Sequence, residues 1–128
     1  MDYRELVIEE IPDDDFLLMR VHKNHISPEG LMPIAFREHE GGMSTDWAKY
    51  SSAIQTRNRV VNYGKDPLNY GVVNLHVQKV RLLDNQSVIH RPIPENYSHT
   101  DIVGEKTTEI RLNFLRIYEW EIAINQQT

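Results

Sequence analysis

The stretch YGVVNLHVQKVRLL, residues 70–83, carries two periodicities in succession. Tyr70 to His76 is β-branched and extended in character, as strand segments are. From Val77 onward the apolar positions Val77, Val80 and Leu83 recur at every third residue, a helical spacing. A strand over 70–76 running straight into a short helix over 77–83 satisfies both patterns. The same alternation of short strands and helices on either side assigns the chain to the α+β class.

Upstream, FLLMRVH at 16–22 follows the acidic turn Asp13-Asp14-Asp15 and reads as a strand, with Phe16, Leu18 and Val21 facing a core. Pro28, Gly30 and Pro33 leave 23–33 as a loop, and PIAF at 33–36 reads as a short extended piece. Ser44-Thr45-Asp46 offers capping side chains for a helix over 45–61. Its apolar positions Trp47, Tyr50, Ile54 and Val61 share one face, so Trp47, Tyr50 and Ile54 are expected in the core. Gly64 can close that helix in a left-handed conformation, and Pro67 forbids its continuation.

Downstream, SVIHRPI supplies a strand at 87–91, Pro92 and Pro94 enforce an irregular loop through 95–99, and a strand at 100–104 ends on Gly104. The last segment, EKTTEIRLNFLRIYEWEIAI, supports two readings. Alternation of Ile110, Leu112, Phe114, Tyr118, Trp120 and Ile122 favours a strand, whereas Ile110, Phe114, Ile117 and Tyr118 favour a helix. Length and the lack of an interior glycine or proline select a helix over 106–120. The expected architecture is one compact α+β domain over residues 1–128, a small mixed sheet packed against two principal helices.

A hydrophobic fraction of 40% and a charged fraction of 26% are ordinary for a globular chain and argue against disorder or a fibrous class. The lack of cysteine removes disulfides, thiolate metal sites and thiol nucleophiles, and fits a reducing compartment, so a cytoplasmic location is expected. No apolar run approaches the roughly 20 residues that span a bilayer. The opening MDYRELVIEE lacks the basic-then-apolar order of a signal peptide, so neither export nor a membrane partner is expected.

The net charge of −5 is unevenly spread. Residues 1–46 carry 4 basic and 11 acidic side chains, residues 47–91 carry 7 and 2, and residues 92–128 carry 3 and 6. Such a balance makes a poor non-specific polyanion binder, so nucleic acid is not the expected partner. The basic middle, with Arg57, Arg59, Lys65, Lys79 and Arg81, either folds against the acidic N-terminal segment or presents a local patch.

Six histidines, at 22, 25, 39, 76, 90 and 99, are the places to look for metal or proton-transfer chemistry. His22 and His25 can meet only if the chain turns between them, since an offset of three in a strand points to opposite faces. Glu38-His39-Glu40 has ligand chemistry without the spacing of a zinc motif, and no metal is expected. No cofactor fingerprint is present either.

The proline-flanked loop Asn96-Tyr97-Ser98-His99 gathers amide, phenol, hydroxyl and imidazole groups. There His99 is the candidate acid-base, Asp46 the carboxylate that would orient it, and Ser98 a conceivable nucleophile. The plainer reading has Asn96 and Ser98 bonding the loop backbone and His99 filling a half-buried slot. VGEKTT lacks the glycine spacing of a phosphate loop, but Lys106 ahead of a helix could hold one anionic group, and Arg20 could do the same. The candidate set is therefore His99 and Asp46 for catalysis, with Arg20, Lys106 and Asn96 for ligand binding.

Arg20-Val21-His22, Ser44-Thr45-Asp46, Asn96-Tyr97-Ser98-His99 and Val103-Gly104-Glu105-Lys106 resemble the short elements of a family of small uncharacterised bacterial proteins. Tyr97 stands where that pattern has proline and Glu105 where it has lysine. The resemblance implies a bacterial origin and a final helix after Gly104, and it implies no reaction. The resulting expectation is a small binding or accessory module acting through a protein partner or a small anionic ligand. The alternative is a hydrolase or transferase using His99 and Asp46 on a phosphate-containing or acyl substrate.

Overall fold

The computed structural model describes residues 6–39 and 41–124. Eight strands are assigned among them: β1 Phe16–His22, β2 Ile26–Ser27, β3 Gly30–Leu31, β4 Met43–Trp47, β5 Tyr70–His76, β6 Ser87–His90, β7 His99–Val103 and β8 Tyr118–Ile122. The helices are α1 Ala53–Asn58, α2 Val77–Arg81 and α3 Thr108–Phe114, with 3-10 turns at Lys23–His25, Pro33–Ala35, Arg59–Tyr63 and Pro67–Asn69. Six strands form one sheet in the order β6-β7-β4-β1-β5-β8, antiparallel at every pairing, and β2 with β3 forms a small hairpin. The chain is α+β, and its sheet is antiparallel throughout where a mixed one was expected.

Strands β1, β5, β6 and β7 and the switch from β5 into α2 fall close to where residue type and period place them. Two long helices do not form. Residues 43–47 are a strand, and α1 starts only at Ala53, capped by Ser52, whose hydroxyl accepts the Gln55 amide while Gln55 accepts the Ser52 amide. Ser44, Thr45 and Asp46 cap nothing; they are strand residues with partners on β7 and the loop before it. Gly64 does close the following 3-10 turn in the left-handed region, at φ 73°. Residues 33–36 are a 3-10 turn, not an extended piece. The segment expected as one helix over 106–120 divides into α3 and β8.

The pleat divides the sheet into two faces. One carries Leu17, Met19, Val21, Trp47, Val73, Leu75 and Ile102, which pack with Val77 and Val80 of α2 and with Ile110 and Phe114 of α3. Phe36 stacks on Phe114 with centroids 5.0 Å apart. The main core therefore uses the odd residues of β1: Phe16 is exposed, and Leu18 faces the other way, beneath α1. Trp47 is 1% exposed, but Tyr50 and Ile54 are 41% and 51% exposed, so the expected stripe reduces to its first member. Its spacing belonged to a helix that does not exist.

The opposite face is thinner and more polar, with Leu18, Val72 and Val60 buried beside α1 and its 3-10 extension. The acidic N-terminal part meets the basic middle through Glu9–Lys49, Asp13–Arg81 and Asp46–Arg59 pairs. Glu9 also accepts the hydroxyls of Tyr50 and Tyr97 at 2.5 and 2.8 Å. These hydroxyls hold the Glu9 carboxyl down to about 2 from 4.5. Because its folded value is depressed, the stabilisation is fully present above about pH 4.5 and is lost as pH falls toward 2. Near-UV circular dichroism should report release of Tyr50 and Tyr97 in that window for the native chain; a Glu9→Gln variant should lack the transition.

A cationic cleft beside a buried carboxylate network

Ser44 and Asp46 of β4 share a sheet face with His99 and Asp101 of β7, since directly opposed residues of an antiparallel pair project together. Asp46 and His99 are such a pair, yet their polar atoms go to different partners. Asp46 Oδ1 accepts Asn96 Nδ2 at 2.8 Å, while Oδ2 accepts Thr56 Oγ1 at 2.9 Å and Arg59 Nε at 3.2 Å. Arg59 Nη2 also donates to Ser51 Oγ at 2.7 Å. Asn96 Oδ1 in turn accepts the Ser98 amide and hydroxyl at 3.1 and 2.5 Å. Asp46, Asn96, Ser98 and Thr56 are all buried. This network ties the 95–98 loop to β4 and α1; Asn96 bonds the loop backbone as the plainer reading has it, whereas the Ser98 hydroxyl goes to the Asn96 side chain.

His99 lies outside that network. Its Nδ1 is 2.9 Å from the Arg91 carbonyl oxygen, and its Nε2 is 3.0 Å from Ser44 Oγ and 3.7 Å from Asp101 Oδ1. Lys106 is enclosed, its ammonium donating to Glu38 at 2.7 Å and to the Ile102 and Gly104 carbonyls at 3.2 and 2.5 Å. Burial pushes this amine below its usual range, and Glu38 opposes the shift. The start of α3 is capped internally by Thr107, whose hydroxyl accepts the Ile110 amide. Gly104 sits where no side chain fits: its φ is +142°, and a Cβ there would stand 2.0 Å from the Asn85 carbonyl oxygen.

Arg20 leads elsewhere. Half-buried on β1, it donates one guanidinium hydrogen to the Thr56 carbonyl at 2.9 Å and lines a cleft of about 410 Å³. Arg37 and Lys65 line the same cleft, as do His22, His25 and His39, with Ser44, Asn24, Tyr63 and Tyr70 between them. The described residues lining it include no carboxylate, and among the described residues neither Arg20, Arg37 nor Lys65 makes an ion pair. The chain turns at Lys23–His25, which brings the His22 and His25 rings to 6.4 Å despite their offset of three. His22 Nδ1 accepts the Asn24 amide at 3.0 Å, so the proton of its neutral ring sits on Nε2. The His25 imidazole is pushed below its usual range, first by burial and then by the positive charge of Arg37 and by His22.

Of the five residues singled out from the sequence, only Arg20 reaches this cleft; Asp46 and Asn96 belong to the buried network, and Lys106 to its own ion pair. Among the described residues no three histidine or carboxylate side chains gather as a metal site, and Glu40 lies outside the described residues. None of the described helices is long and apolar enough to cross a membrane.

Fold and site together define an α+β domain built on an antiparallel sheet, with a basic cleft on the sheet's polar face whose described lining residues include no carboxylate. No family model matches the chain, and neither a curated protein nor a solved structure matches it.

Proposed function

We propose that this chain is a binding module for a small anionic ligand bearing phosphate or carboxylate groups, held in the cleft between Arg20, Arg37 and Lys65. The supporting observation is the convergence of three cationic side chains without ion-pair partners among the described residues, in a chain whose net charge is −5. Cations gathered in a concave, partly desolvated site raise the local anion concentration and form charge-assisted hydrogen bonds to it. His22 adds an Nε2–H donor that needs no protonation, and Tyr63 and Tyr70 add hydroxyls and ring faces. A bacterial cytoplasmic setting, and action as an accessory module through a partner, belong to the same proposal; they rest on the motif resemblance and the lack of cysteine.

Isothermal titration with inorganic pyrophosphate tests the reading. Arg37→Gln and Lys65→Gln change exposed side chains and should leave the melting temperature nearly unchanged. Each should weaken binding by about tenfold, the loss of one charge-assisted contact. Lys79→Gln, an exposed change on α2 outside the cleft, should bind like the parent chain. Equal binding by all four proteins, or none by the parent chain at millimolar ligand, would refute the proposal.

A further inference from the structure

Ser44 and His99 form a hydroxyl–imidazole pair whose direction is determined by its surroundings. A carbonyl oxygen only accepts, so the 2.9 Å contact to Arg91 O makes Nδ1 of His99 the donor. In the neutral ring Nε2 then carries the lone pair, and the Ser44 hydroxyl, 3.0 Å away, donates to it. Asp101 Oδ1 stands 3.7 Å from the same Nε2 and is fixed by Arg91 Nη1, 3.0 Å from the other carboxylate oxygen. Ser44 is exposed and lines the basic cleft; His99, with its side chain 21% exposed, lies behind it. A serine hydroxyl donating to an imidazole whose other nitrogen is anchored has the arrangement that activates a nucleophile.

We infer that Ser44 and His99 are catalytic residues for hydrolysis of a carboxylic ester that carries a separate anionic group, the anion being seated on Arg37 and Lys65. Ser44 Oγ attacks the ester carbonyl carbon as its proton passes to His99 Nε2. The tetrahedral adduct then re-forms its carbonyl as the bond from that carbon to the alkoxy oxygen breaks, and the imidazolium returns the proton to the departing alcohol oxygen. Water attacks the acyl-Ser44, giving one proton to Nε2, and that proton restores the Ser44 hydroxyl as the acid leaves. Ester and water are consumed, acid and alcohol are formed, and no other reactant is needed. Asp101 stabilises the imidazolium formed in each half-reaction. The assignment of an anionic substrate rests on the cleft's being an anion site, whereas the nucleophile assignment rests on the pair's own geometry.

The test pairs a covalent probe with two chromogenic esters. A biotinylated alkyl fluorophosphonate should label the full chain at Ser44, located by peptide mass spectrometry. Mono-p-nitrophenyl succinate should be hydrolysed with kcat/KM about tenfold above that for p-nitrophenyl acetate, the preference expected of one charge contact. Ser44→Ala should abolish labelling and lower turnover at least about a hundredfold, the scale of general-base assistance, with an unchanged circular-dichroism spectrum. His99→Gln should lower both labelling and turnover without unfolding the chain, as read by circular dichroism; if it does unfold, Ser44→Ala decides alone. Labelling only at other serines, or parental turnover by Ser44→Ala, would overturn the pair. Labelling at Ser44 without the succinate preference would overturn the anionic substrate class and leave the nucleophile standing. Failure of pyrophosphate binding alone counts against the cleft reading only.

Discussion

Replacing Trp47 by alanine is expected to destabilise the chain by about 3–5 kcal/mol, the range for deleting a large buried aromatic side chain. The indole is 1% exposed and meets the rings of Tyr50 and His90 edge-on, each at 5.2 Å. Its Nε1 donates to Asp15 Oδ2 at 2.8 Å, so the substitution also leaves a carboxylate that orders the turn before β1 without that donor. At this chain length the loss corresponds to a fall in melting temperature on the order of 10–20 °C. Differential scanning calorimetry of Trp47→Ala and Trp47→Phe measures it, the phenylalanine variant falling between the alanine variant and the parent chain. An unchanged transition for Trp47→Ala would mean that β4 does not present Trp47 to the core.

Asp46→Ala is expected to cost about 3 kcal/mol or more, because it strands Arg59, Thr56 and Asn96 around a buried position that no longer accepts their hydrogens. The consequence differs from that of a carboxylate orienting a catalytic imidazole. Such a residue could be lost with little effect on folding; this one holds α1 and the 95–98 loop to the sheet. Chemical denaturation of Asp46→Ala and of Thr56→Val should show the larger loss for the aspartate, which accepts three hydrogen bonds, than for the threonine, which donates one of them. A midpoint within experimental error of the parent chain for Asp46→Ala would contradict the structural role and restore the acid-base reading.

Strands β1, β5, β6 and β7 were legible because each is a short run of extended, largely apolar residue types with turn residues on at least one side, and α2 was legible because Val77 and Val80 recur at a helical interval; both are fully buried. Strand β4 was not. Ser44, Thr45 and Asp46 are cap-forming residue types, and nothing nearby in the chain betrays that Thr45 bonds the Thr100 carbonyl and Asp46 bonds Asn96. A buried polar strand is affordable only through such distant partners, which local pattern cannot contain. The end of α3 was hidden for a different reason: the turn at 115–117 has no glycine or proline, so length and the lack of a break outweighed the alternation of Tyr118, Trp120 and Ile122, which by itself favours the strand that forms.

The cleft shows the same limit. Arg20, His22 and His25 come from one segment, and their meeting needed only the turn that the histidine spacing already required. Arg37 and His39 lie before β4, and Lys65 and Tyr63 lie after the 3-10 turn or within it, so their convergence is a product of the sheet order alone. Segment charge pointed instead to a basic middle, of which Arg59 and Arg81 are spent on Asp46 and Asp13. The basic cleft combines cations from the acidic N-terminal part with Lys65 from the basic one.

The most direct measurement is a pyrophosphate titration of the uniformly nitrogen-15-labelled chain, followed amide by amide in proton–nitrogen correlation spectra. Binding in the cleft predicts saturable shifts confined to residues 20–25, 37–39, 44 and 63–65, all fitting one dissociation constant and all absent from a chain carrying Arg37→Gln and Lys65→Gln together. Shifts that fail to saturate, that centre on α2 and α3 across the sheet, or that persist unchanged in the double variant would contradict an anion site between Arg20, Arg37 and Lys65.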